Sequence, residues 1–336
     1  MGKIQMSSSA SMAVSTQAQV SKRRASQKKK PQRELAPVTK RLKKYWPLYV
    51  MLAPAIIYFA VISYLPMFGL QLAFKDYQFN KGIWGSPGIG WAHFRAFFMS
   101  FDAKRLILNT LRVGFLKCVV EFPFAIIFAL ILNEITNLRF RKINQTISYL
   151  PHFLSSVVVV TILQKVFAPN VGIINQLKGF FGADPSTFYL MESRYFVPLL
   201  FVMDLWKNIG WDSILYLSAM AAIDSALYEA AGIDGCNRFR KMLHVTLPGI
   251  RLTIGLLFIL GIGGLLSSGV EQIYLLQTPG NKIVADTLDT WVLQMGLQRG
   301  QFGYATAIGL VQGVVGLLMV VSANYLCRKL TEVSLW

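Results

Sequence analysis

Charge is scarce in this chain. Only 15% of its 336 residues are Asp, Glu, Lys or Arg, against roughly 25% in an ordinary soluble domain. With 54% apolar residues and a mean hydropathy of +0.46, that shortage excludes disorder over most of the chain and argues against a simple soluble globule. Acids are the scarcer sign, 16 against 34 Lys and Arg. Cysteine is rare as well. Cys118, Cys236 and Cys327 lie far apart and no C-x-x-C occurs, so neither a disulfide framework nor a zinc site has support. His93, His152 and His244 lack metal-ligand spacing and read as ordinary core or interface residues. The phosphate-cradling pattern G-x-x-x-x-G-K-S/T is missing. No Ser/His/Asp, Cys/His or paired-carboxylate constellation stands in a plausible cleft. An enzyme is therefore disfavoured, and no cofactor is implied.

What the chain has instead is long apolar runs. Residues 45–74, between Lys44 and Lys75, hold no charge over 30 positions. A helix needs about 20 apolar residues to cross a hydrocarbon core of ~30 Å. A signal peptide has a shorter apolar centre and a small-residue cleavage site, so this run reads as a retained first span over 46–74. Residues 143–164 and 300–327 are likewise free of charge, and 252–270 continues past Glu271 to Leu276. Two further apolar segments carry charges: 107–132 contains Arg112, Lys117 and Glu121, and 196–223 contains Asp204, Lys207 and Asp212. Six such segments predict an all-α polytopic membrane protein with six transmembrane helices.

Basic residues set the expected orientation. With the N-terminus in the cytoplasm, inner segments hold 21 Lys and Arg and outer segments hold nine. Both termini are thus expected inside, with residues 329–336 as a cytoplasmic end. Twelve of the 21 lie in residues 1–45, beside a single acid, Glu34. Runs such as Lys22-Arg23-Arg24 and Lys28-Lys29-Lys30 invite a nucleic-acid reading. No base-reading fold accompanies them, and a disordered tail held near anionic membrane lipid accounts for them better.

The outer segments are short. Residues 75–106, with Trp84, Gly85, Pro87, Gly88, Gly90 and Trp91, read as an ordered interfacial hairpin anchored by Trp at the headgroups. A turn at Pro169-Asn170 leads into a short amphipathic stretch, and Thr278-Pro279-Gly280-Asn281 is a turn before a helix expected through Met295. The inner loop over 224–251 differs. Good helix formers from Leu227 run to Gly235, a natural C-terminal stop. A second helical stretch is expected to end before Pro248. Two short helices broken by a glycine, on an exposed face, suit a docking surface better than a connector.

Within that loop, Glu229-Ala230-Ala231, Gly235, Val245, Leu247 and Pro248 resemble the signature of membrane subunits of binding-protein-dependent ABC importers: E-A-A, three residues, G, about nine residues, then a hydrophobic residue, x, Leu-Pro. Asn109-Thr110-Leu111, Tyr149-Leu150-Pro151-His152, Trp206 and Gly210-Trp211 look similar to the carbohydrate-importing branch. Tyr149-Leu150-Pro151-His152-Phe153 and Leu227-Tyr228-Glu229-Ala230-Ala231 look most like its polysaccharide and oligosaccharide subgroup. The resemblance covers roughly residues 100–328. It implies a type I importer permease fold, with 107–328 as a five-helix transmembrane domain behind the first span. It also implies that the 224–251 loop is a coupling helix, in which Glu229, Ala230, Ala231, Gly235, Leu247 and Pro248 seat on a separate ATPase. The implied partners are two ATP-binding subunits, a second homologous permease and an extracellular or periplasmic solute-binding protein, at a bacterial cell membrane. The same fold importing a non-sugar solute is the alternative. A channel would need no docking loop.

Charged residues inside spans are expensive and usually face a cavity or a partner. Asp204, Lys207, Asn208 and Trp211 recur at helical spacing on one face of the fourth span. A Trp ring stacks on a sugar's apolar face while amide and carboxylate bond its hydroxyls. The competing reading is a cluster that only holds spans together, with Asp204 and Lys207 paired with each other. Lys117 and Glu121 suggest an internal ion pair. Glu271 and Gln272, near the outer end of the fifth span, are further pathway candidates. A carboxylate at Glu229, near the expected start of its helix, would favour the helix dipole.

Overall fold

The computed structural model describes residues 38–264, 266 and 269–331. Most of the expected basic tail, 1–45, and residues 332–336 lie outside the described residues. Among those described, the regular elements are helical, and the extended backbone pairs only as an isolated antiparallel bridge between Lys75 and Gly88. The chain divides into two units, Met1–Met67 and Phe68–Trp336.

In the first unit, helix α1 (Val38–Phe59) begins inside the expected tail and departs from helical geometry at Tyr45. A π turn, Ala60–Tyr64, and a 3-10 stretch, Leu65–Phe74, follow. The whole apolar stretch, Tyr45–Phe74, is 30 residues with a mean hydropathy of 2.1.

In the second unit, α2 (Phe101–Leu116), a π turn (Lys117–Glu121) and α3 (Phe122–Glu134) run on as one helix of 34 residues, Phe101–Glu134. At 1.5 Å per residue that is about 51 Å, more than a bilayer core requires. Helix α12 (Phe302–Thr331) is similarly long and apolar. These two and Tyr45–Phe74 can each cross a membrane as single helices. The remaining expected spans are bent: α4 (Leu138–Tyr149) with its 3-10 extension to Phe153 meets α5 (Ser156–Val166) at 101°, and Arg238–Gly249 meets α9 (Arg251–Gly263) at 62°. Helix α7 (Ser193–Ala221) turns by 73° into α8 (Ser225–Ile233). By length and composition the count is three spans, or up to six if each bent pair is one span.

The bends correct the sequence expectation in two places. The charge-free stretch over 143–164 is not one helix. Pro151 cannot donate to the helical ladder, Leu154 and Ser155 are extended, and Ser155 Oγ caps the new helix by accepting from Val158 N. The expected continuation of 252–270 to Leu276 is also broken. α9 ends at Gly263, and left-handed Gly269 (φ 84°) precedes a separate helix, α10 (Val270–Leu276). Near Met295 the expected helix divides too: Lys282–Ala285 stops, and a capping box between Thr287 and Thr290 opens α11 (Leu288–Leu293).

The segments expected outside are ordered. In 75–106 the hairpin is present: Asp76 N donates to Pro87 O and Ile89 N to Phe74 O. Lys75 Nζ donates to Ile83 O and lies over the Trp84 ring. The expected amphipathic stretch is α6 (Ile173–Phe180). Asn281 Nδ2 and Thr278 Oγ1 both donate to Leu190 O, which ties the turn at 278–281 to the start of α7. One apolar core joins α2, α5, α7 and α10 through Val113, Val159, Met203 and Ile273. A second joins α3 and α7 through Ala129, Leu130 and Tyr216, with Ile250 beside them. Where α7 crosses α4, any side chain at Gly210 would strike the Ser148 backbone, so glycine sets how close the two helices come.

Candidate functional site

A polar network sits where α2, α5 and α7 meet. Lys117 Nζ is 2.5 Å from Asp204 Oδ2. Asp204, 1% exposed, needs that cation, because an unpaired carboxylate in apolar surroundings is costly. Asn208 Nδ2 donates to Asp204 Oδ1 at 3.2 Å, and its Oδ1 lies 3.0 Å from His152 Nδ1. An amide oxygen only accepts, so His152 Nδ1 carries the proton. The His152 ring then stacks flat on Trp211, with centroids 4.4 Å apart and planes 2° apart, while Phe153 meets the same Trp edge-on. Lys207, buried, turns away and donates to Ser156 Oγ at the start of α5.

Two expected pairings are therefore corrected. Asp204 does not pair with Lys207, and Lys117 does not pair with Glu121. Lys117–Glu121 forms a π turn, whose wider winding takes i and i+4 out of alignment. Lys117 reaches across to α7 instead. Glu121 faces a cavity of about 500 Å³ together with Lys117, Trp211, Asp212, Phe258 and Gly261. Trp211 is 43% exposed, so one ring face backs onto His152 while the indole remains accessible from the cavity side. Gln272 joins the surroundings of the network. A Cβ placed on Gly269 would stand 3.0 Å from Gln272 Oε1 and 3.2 Å from Lys117 Nζ, so both side-chain ends would have to shift, and its φ of 84° favours glycine in any case. Glu271 is exposed and makes no contact with the network among the described residues.

The 224–251 loop forms a separate site. Asp224 caps α8, its carboxylate accepting from Ala226 N at 2.9 Å. Glu229 lies in the middle of this helix, so the anion at its positive end is Asp224 and not Glu229 as expected. The C-terminus closes as a Schellman motif: Cys236 N donates to Ala231 O, Gly235 N donates to Gly232 O, and Gly235 has φ 72°. Asn237 then caps Arg238–Lys241. The second arm does not stop before Pro248. A π turn, Met242–Thr246, carries the helix through Leu247–Gly249, and the bend comes at Ile250. A hydrogen bond of 2.9 Å between Tyr228 Oη and Thr246 Oγ1 braces the arms. Glu229, Ala230, Gly235 and Pro248 are exposed, while Ala231 and Leu247 are half-buried. Ile233, 89% exposed, and Phe239 also protrude.

Three contributors escaped the sequence reading. His152 was assigned an ordinary interface role, though it stands in the Tyr149-Leu150-Pro151-His152 stretch that carried part of the resemblance. Ser156 and the Tyr228–Thr246 brace left no signal, because their partners are 51 and 18 residues away. Among the described residues no group of His, Cys, Asp and Glu could hold a metal ion.

Residues 121–332 match the family described as binding-protein-dependent transport system inner membrane component. Protein LplB of Bacillus subtilis (strain 168) is 42% identical over 289 residues, 86% of this chain and 91% of LplB. The polygalacturonan/rhamnogalacturonan transport system permease protein YteP of the same organism is also 42% identical, over 86% of this chain and 90% of YteP. The crystal structure of a bacterial ABC transporter that imports the acidic polysaccharide alginate contains a chain that superposes with a TM-score of 0.82 at 38% identity, covering 88% of this chain and 99% of that one. A helical chain with no phosphate-binding loop of its own, an exposed two-helix loop and a largely apolar cavity bearing a few charged groups fits these likenesses. The chain belongs to the family of binding-protein-dependent transport system inner membrane components, as the translocation subunit of an ABC importer whose ATP is hydrolysed by a separate chain.

Proposed function

We propose that this permease forms part of the route for an oligo- or polysaccharide, and that Trp211 lines it, with Asn208 and the buried Asp204 supporting it from behind. The observation that carries the reading is Trp211: a half-exposed indole, held flat by His152, on a cavity that also presents Lys117, Glu121 and Asp212. An aromatic platform beside hydrogen-bonding groups suits a ring with one apolar face and many hydroxyls. The sugar and polysaccharide systems named for YteP and the alginate transporter support the same class. The alginate system was also solved with a periplasmic binding protein carrying an alginate pentasaccharide, which supports delivery by a solute-binding protein here. In this reading each bent pair contributes one passage, with α7 and α9 crossing while α8 and Arg238–Gly249 stay on the cytoplasmic face, giving six spans with both termini in the cytoplasm. A second permease completes the pathway. Two ATP-binding subunits grip the 224–251 loop through Glu229, Ala230, Ala231, Gly235, Leu247 and Pro248.

The test is uptake into vesicles carrying the assembled transporter. Trp211→Ala and Asn208→Ala should each lower uptake about tenfold, the rate equivalent of roughly 1.4 kcal/mol, with assembly unchanged. Trp211→Phe should retain more uptake than Trp211→Ala. Normal transport in both alanine variants would make the network structural and remove the pathway assignment.

A further inference from the structure

Arg112 has no role in the network or in the loop. It lies on the outward face of α2 beside exposed Leu108 and Phe115, and no described carboxylate or other partner engages it. It shares a groove of about 480 Å³ with Arg194, whose remaining walls are apolar: Phe115, Leu116, Val197, Pro198 and Phe201. Arg194 is only partly satisfied. Its Nε meets Glu192 at 2.6 Å and its guanidinium lies over Tyr195, which leaves both Nη groups without a partner among the described residues.

The level of Arg194 follows from helix length, and by the same measure Arg112, 11 residues into the 34-residue helix Phe101–Glu134, starts about 6 Å below the edge of the hydrocarbon core, within reach of a snorkelling arginine side chain. The 29 residues of α7 span about 44 Å at 1.5 Å each, so about 7 Å at either end projects beyond a ~30 Å hydrocarbon core. Roughly the first four residues of α7, Arg194 among them, therefore stand at headgroup level. Val197, Pro198 and Phe201 come just below, at the top of the acyl region. Two cations lining an apolar trough at the upper edge of the core match one class of molecule: an anion joined to hydrocarbon chains. A guanidinium binds phosphate oxygens through paired N–H groups, and a cation on a lipid-facing surface is costly without a counter-ion.

We infer that the Arg112–Arg194 groove binds an anionic phospholipid, with the phosphate at the two guanidiniums and an acyl chain along Phe115, Val197, Pro198 and Phe201. A zwitterionic headgroup fits less well, because its own cation would face two more. The site is separate from the cavity beside Trp211, and the inference does not depend on what is transported.

The test is native mass spectrometry of the full-length chain, purified in detergent with its copurifying subunits. Phosphatidylglycerol and phosphatidylcholine with identical acyl chains are added in turn. Wild type should retain phosphatidylglycerol about tenfold over phosphatidylcholine, a difference of roughly 1.4 kcal/mol. The Arg112→Gln/Arg194→Gln double variant should lose that preference, and Arg112→Lys should keep part of it. Equal retention of the two lipids by wild type would overturn the assignment without any variant. So would displacement of the lipid by millimolar inorganic phosphate, which would mark an anion site indifferent to acyl chains. A photo-crosslinker replacing Phe115 should capture lipid in native membranes; capture of a protein subunit there would show that the groove is an interface and sink the proposal.

Discussion

Asp204 is held by two neighbours that arrive from different directions. Lys117 comes from the π turn after α2 and Asn208 from the next turn of its own helix. Removing one member of a buried ion pair strands the other, at a cost of about 3–5 kcal/mol, whereas replacing both with apolar groups is often neutral. Lys117→Met should therefore depress thermal stability in detergent strongly. Lys117→Met/Asp204→Leu should recover most of it, which a thermal-shift comparison would read directly. Equal loss in the single and double variants would mean the pair contributes through packing alone. Recovery of stability without recovery of uptake would separate structural from transport roles within the network. The His152–Trp211 stack is constrained in the same way, since Asn208 spends its amide nitrogen on Asp204 and turns its oxygen to the imidazole.

At the scale of elements, prolines explain three of the four π turns among the described residues; the fourth, Gln294–Gln298, has no proline after it. π turns at Ala60–Tyr64, Lys117–Glu121 and Met242–Thr246 each end two residues before a proline, Pro66, Pro123 and Pro248. A proline ring in an α-helix clashes with the carbonyl four residues back. A wider turn at that point moves the carbonyl aside, so the helix continues instead of stopping. This is why the arm ending in Leu247-Pro248 runs further than the sequence rule allows. The glycine in the same loop has a different task. At φ 72°, Gly235 closes the Schellman motif, and a β-branched residue there costs roughly 1–2 kcal/mol. Gly235→Val and Glu229→Lys should leave the chain in the membrane but reduce copurification of the ATP-binding subunits. Substrate-stimulated ATP hydrolysis and uptake should fall together. Full stimulation and uptake in both variants would reduce the loop to a connector.

For the whole molecule, the open quantity is how the helices thread the bilayer. The excess of Lys and Arg in 1–45, 133–147 and 224–251 predicts that these segments lie in the cytoplasm and 75–106 outside. In a background with Cys118, Cys236 and Cys327 replaced, single cysteines at positions 79 and 84 should react with an impermeant thiol reagent in intact cells. One at position 238 should react only after the cells are opened. Phe79, Trp84 and Arg238 are all exposed in the fold, so accessibility itself does not bias the comparison. Strong labelling at 238 in intact cells would invert the topology.

Membrane residence, an all-helical class and a two-helix loop with a glycine stop were legible in the sequence, because apolar run length and local turn chemistry act over neighbouring residues. Gly235 illustrates this: its left-handed turn depends on positions 231–236 alone. The partners of the charges were not legible. Lys117 and Asp204 are 87 positions apart in the sequence, and local spacing offered each a nearer partner that was not used. The choice fell to tertiary packing, because a charge inside a span goes to the counter-ion that desolvates least with it, wherever the chain brings one. The same holds for His152. Packing of the arm Leu138–Phe153 against α7, just before the 101° bend to α5, carries it onto Trp211, and no local pattern encodes where a broken helix will point once neighbouring spans pack against it.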